Sequence, residues 1–162
     1  MDPTQVWRVP PAPLRTQPPL TDELLETTER QLAVRLPESL VRLLRFQNGG
    51  VLQVCFPDER NYNTTHHFIR GIGPRSDRIE KAAWWHDDPD FPSRPPEAEW
   101  VIPFDGDGHW DLCLDYRRSS TDLTGLRTDP GIVVIDSECD PETFVAGSFD
   151  EYLSQLVPVE DY

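Results

Sequence analysis

Trp110, Leu112, Leu114 and Tyr116 alternate with Asp111, Cys113, Asp115 and Arg117. A period of two over this length predicts a half-buried strand, because successive side chains of a strand point to opposite faces. Asp105-Gly106-Asp107-Gly108 just before it is turn chemistry. Trp100 to Phe104, ahead of the turn, predicts another strand, which Pro103 places at an edge or a bend. Ile132 to Ile135 is a continuous apolar run, as expected of a central strand buried on both faces, and Phe144-Val145-Ala146 adds a further strand. Ser148-Phe149-Asp150-Glu151 then forms a capping box, with Ser148 as N-cap and Glu151 three residues on. Phe149, Tyr152, Leu153 and Leu156 give the helix it opens one apolar face.

The first half of the chain has a different pattern. Thr21 is a good N-cap, Asp22 and Glu23 suit the positive end of a helix dipole, and Leu24, Leu25, Thr28 and Leu32 share a helical face. A second helix opens at Pro37, has Leu40, Leu43, Leu44 and Gln47 along one side, and ends at Asn48-Gly49-Gly50, residues that tolerate a left-handed cap. Val51 to Phe56 and Phe68 to Ile72 read as strands. Asp77 to His86 reads as a short helix ending in Trp84-Trp85, and residues 87–99 as a loop rich in proline and acid. Residues 1–20 hold six prolines and read as an extended arm or a disordered leader, with Trp7 and Val9 as its candidate anchors. The order of elements predicts an α+β fold: a mainly antiparallel sheet, two N-terminal helices and one C-terminal helix. The expected organisation is an arm over 1–20 and a single domain over 21–162, in keeping with 162 residues.

Charge narrows the partners. The chain carries −14 overall, but residues 97–162 hold 16 acidic and 3 basic side chains, a balance of −13, against 13 and 12 in residues 1–96. Such a field repels phosphate backbones and anionic membranes and attracts a basic protein. No stretch approaches the roughly 20 apolar residues of a membrane span. The N-terminus lacks the pattern of a secretory signal. Cys55, Cys113 and Cys139 are scattered and odd in number, the usage of a reducing compartment. A cytoplasmic location is expected.

Signatures of catalysis are weak. Asp105 to Asp111 places carboxylates at alternate positions, but His109 stands where a calcium loop needs oxygen, Trp110 where it needs glycine, and no bidentate glutamate follows. His66, His67, His86 and His109 lack the spacing of a zinc site. No GxSxG, Walker A or GxGxxG pattern is present. No cofactor or metal is expected, and a metal-dependent hydrolase built on the 105–111 turn is the least favoured reading. Trp84 and Trp85 beside Asp87, Asp88 and Asp90 form the most interface-like stretch, aromatic anchors next to charge. Asp105, Asp107 and His109 are further candidate contacts.

Five segments in order resemble the SUKH superfamily, the Smi/Knr-type domain. They are Leu36-Pro37 with Asn48-Gly49-Gly50; Gly106-Asp107-Gly108-His109-Trp110; Leu114-Asp115-Tyr116-Arg117; Val134-Ile135-Asp136 with Glu138; and Ser148-Phe149-Asp150-Glu151-Tyr152-Leu153. Trp100 is grouped with these signature positions. The resemblance spans about residues 21–156 and implies an α+β fold. For bacterial members it implies an immunity protein that blocks a polymorphic toxin, frequently a nuclease, by direct binding and without catalysis. The alternative it carries is a regulatory scaffold module, as in the yeast members. The arm and the 118–130 loop lie outside the signature.

Overall fold

The computed structural model describes residues 2–57, 66–81, 83, 85, 94–137 and 142–159. Its centre is an antiparallel meander of β4 (Val101–Gly106), β5 (Trp110–Asp115), β6 (Gly131–Asp136) and β7 (Thr143–Ala146), in that spatial order. Helices α1 (Asp22–Leu32) and α2 (Glu38–Phe46) precede it and α3 (Phe149–Gln155) follows. The α+β architecture with antiparallel pairing is therefore as the sequence pattern predicts.

Helices α1 and α3 start where their caps dictate. Thr21 Oγ1 accepts from Leu24 N–H at 3.2 Å, and Ser148 Oγ accepts from Glu151 N–H at 3.1 Å. The return bond of the second cap is shifted by one residue, since Glu151 Oε2 accepts from Gly147 N–H at 2.7 Å. At the end of α2 the expected left-handed cap is absent: Gln47 is extended, at φ −144°. Asn48 and Gly49 serve tertiary packing instead. Buried Asn48 donates to the carbonyls of Pro18 and Ile72, at 2.6 and 2.8 Å, and accepts from Ile72 N–H at 2.9 Å. Gly49 sits at φ +82°, where a Cβ would lie 2.5 Å from Gly71 N, so only glycine fits.

The N-terminal segment is part of the core, contrary to a leader that stays off it. Val6 and Trp7 are buried, Trp7 Nε1 donates to Leu43 O at 3.3 Å, and Trp7 bridges to Leu52. Val9, the other expected anchor, is exposed. This pairing splits the expected 51–56 strand into β1 (Gly50–Val51) and β2 (Val54–Cys55), because Gln53 N–H turns to Val6 O at 2.9 Å. β1 pairs with the two-residue β3 (Phe68–Ile69), and β2 with β8 (Val157–Pro158), which no sequence pattern marks. In place of the expected 77–86 helix, the described residues hold a turn of 3₁₀ helix over Ile79–Lys81 and 3₁₀ backbone at Trp85.

The strand β5 is more buried than its alternation suggests. Leu112 and Leu114 face the main core, but Asp111 and Cys113 are buried as well. Ala83, Trp85 and Ala98 cover the second face and pack with Val101, Cys113, Val133 and Ile135. At β4, Pro103 marks a bulge between Pro103 and Asp105, in line with its predicted edge or bend.

Candidate protein-binding surface

The bulge decides what the 105–111 segment does. After it, Asp105 stands opposite Leu112, whose side chain belongs to the main core. Asp105 is thereby turned inward and is fully buried. Its carboxylate accepts from Gly106 N–H at 2.7 Å and from Phe68 N–H at 3.3 Å. Burial pushes its pKa well above the usual carboxylate range, against the pull of nearby Arg70. Arg70 donates to Gly106 O at 2.6 Å and lies 3.5 Å from Asp77 and 3.7 Å from Asp111. Asp107 and His109 form the exposed tip, where Asp107 Oδ1 accepts from His109 N–H at 3.0 Å. Gly106 and Gly108 hold φ of +120° and +95°, and a Cβ on Gly106 would sit 2.4 Å from Trp110 O. Asp105 thus belongs to the core and is a correction to its expected role as a contact, whereas Asp107 and His109 lie at the surface.

Trp85 is also a core residue, with no exposed surface and an indole N–H that donates to Ala98 O at 3.2 Å. It is not a surface anchor. Trp84, Asp87, Asp88 and Asp90 lie outside the described residues.

The remaining signature positions build the frame. Tyr116 OH donates to Arg35 O at 2.7 Å, and burial raises its pKa. Arg35 in turn holds Glu29 at 2.7 Å and Asp122 at 3.0 Å, tying α1 to the 118–130 loop. Arg127 from that loop stacks 4.0 Å over the Trp100 ring. Phe149 meets Phe104 edge to face at 5.4 Å. Asp136 is buried at the end of β6.

Asp115 and Arg117 behave differently, because they face a groove. Arg117 donates to Asp115 Oδ1 and Oδ2, both at 2.8 Å, and also to Glu142 Oε2 at 2.8 Å. Burial opposes ionisation of Asp115, yet the bonds to Arg117 prevail and hold its carboxyl below its ordinary pKa. The groove beside them measures about 650 Å³ and is also lined by Glu97, Asp129, Val133 and Phe144. Its residues come from four separate stretches of chain, which is why no local motif announces it.

The described residues thus form an α+β domain with an antiparallel meander, a helix capped at Ser148 and an open groove lined by four carboxylates and two guanidinium groups. The SMI1 / KNR4 family (SUKH-1) matches residues 19–155, and the chain belongs to this family. Membership fits an immunity-type, protein-binding role in general terms. No curated protein matches the chain. Among the described residues no helix is long and apolar enough to cross a membrane.

Proposed function

We propose that this chain is an immunity protein that binds a cognate toxin of a bacterial polymorphic toxin system in the cytoplasm and neutralises it by occlusion, without catalysis. Membership of the SUKH-1 family over residues 19–155 is the observation that carries the reading. The charge of −13 on residues 97–162 supports a basic toxin, with a nuclease as the best-fitting class. A nuclease needs a basic groove for its substrate, and an acidic surface competes for that groove and speeds encounter.

The test is to seek a toxin gene beside this one and to measure association kinetics with its C-terminal domain at low and high salt. A stoichiometric complex that abolishes toxin activity is expected, with association slowing as salt rises. Reversing Asp87, Asp88 and Asp90 to lysine slows association further and weakens its salt dependence. Failure of the wild-type chain to bind or protect overturns the reading, and salt-insensitive association rejects its electrostatic part.

A further inference from the structure

Among the described residues, the second face of the β4–β7 sheet is only partly covered. Val133 and Ile135 lie under Ala83, Trp85 and Ala98, but Phe144, the cross-strand partner of Val133, is 70% exposed. What sets this ring apart from other exposed apolar side chains, such as Leu123 and Val9, is its place at the edge of a groove. The groove of about 650 Å³ opens beside it. Gly131, the register partner of Asp115, adds no side chain to its lining.

The charges around the ring are unequal. Glu97, Asp115, Asp129 and Glu142 line the groove against Arg117 and Arg118. Arg117 is already committed to Asp115 and Glu142. Glu97 and Asp129 are exposed, and both hold left-handed backbone, at φ 49° and 57°, without being glycine. The groove therefore offers carboxylates beside an aromatic face, which together suit a cation with an aliphatic stem. An acidic segment would meet net repulsion there, and a purely apolar one would bury the rim carboxylates unpaired.

We propose that this groove is where a basic segment of the toxin docks, an arginine or lysine side chain lying on Phe144 and pairing with Glu97 and Asp129. The assignment rests on the immunity reading and adds the surface to it. Phe144 supplies the buried anchor of the interface, and the two carboxylates steer and orient the cation.

The probe is the C-terminal domain of a toxin whose gene is found beside this one, tested against three variants: Phe144→Ser, the pair Glu97→Gln and Asp129→Asn, and, as a rival surface, the pair Asp107→Asn and His109→Ala. All five positions are exposed, and asparagine tolerates the left-handed conformation of residue 129, so the fold should survive; thermal unfolding verifies this. Phe144→Ser is expected to weaken binding about tenfold or more, mainly through faster dissociation. The charge pair is expected to slow association and flatten its salt dependence. If wild type binds and both groove variants bind as well as it does, the groove is rejected and the immunity reading stands. Weakening confined to the Asp107/His109 pair moves the interface to the hairpin tip. If the wild-type chain fails to bind, both readings fall.

Discussion

On the helix side of the sheet, Phe104, Leu112, Leu114, Ile132 and Val134 are buried almost completely, and the Phe104 ring lies 5.4 Å from Phe149 and 5.3 Å from Tyr152. On the other side, Trp85 and its neighbours cover Cys113 and Val133 but leave Phe144 open. The first face has no freedom to change, because close-packed interiors register the loss of even one methylene. The second face separates the two demands: its covered part stabilises the sheet, and its open part can vary in sequence without loss of fold. A protein that must match one particular partner benefits from that separation.

The comparison is broken most directly at Trp7. Trp7→Ala empties part of the closed face and should cost about 3–5 kcal/mol in urea-induced unfolding. A loss below about 1 kcal/mol would mean that the N-terminal segment rests on the core without completing it.

Asp105 sharpens the same contrast through pH. Burial raises its pKa in the folded chain, so the folded state holds the proton more tightly than the unfolded state does. Its contribution to stability is full below the unfolded pKa of about 4 and is lost as pH rises through the raised folded value. Asp105→Asn cannot ionise and keeps one acceptor, for the Gly106 amide, while its NH2 replaces the oxygen that Phe68 N–H meets at 3.3 Å. Relative to wild type, this variant should gain stability progressively from acid towards neutral pH. Parallel stability–pH curves would show that Asp105 does not titrate as a buried acid.

The smallest effect belongs to Ser148. Removing the cap with Ser148→Ala should cost about 1 kcal/mol and leave toxin binding unchanged. Weaker binding at unaltered thermal stability would place Ser148 in the interface.

Local chemistry made much of this fold legible. Thr21 and Ser148 announce their helices through side-chain oxygens, and the run Ile132 to Ile135 announces a strand buried on both faces. Long-range effects stayed hidden. The alternation in β5 marks Cys113 as outward, and nothing near it in sequence reveals the segment around Trp85 that covers it. Pro103 signals a bend, but only the register across β4 and β5 shows that the bend turns Asp105 into the core. The groove was illegible for the same reason: Glu97, Asp129 and Phe144 become neighbours only through the pairing of β4, β5, β6 and β7.

The seating of Trp7 also bears on where this domain is cut for expression or fusion. The family match begins at residue 19, yet the indole that donates to Leu43 O and the backbone that receives Gln53 N–H lie twelve or more residues before it. A chain trimmed to the match would present an empty apolar socket beside Leu43 and Leu52, together with unpaired strand edges at Val51 and Gln53. Such a fragment invites self-association. The practical boundary of the domain therefore lies ahead of Val6, and a fusion partner joined at the front needs a spacer that leaves residues 2–8 free to dock.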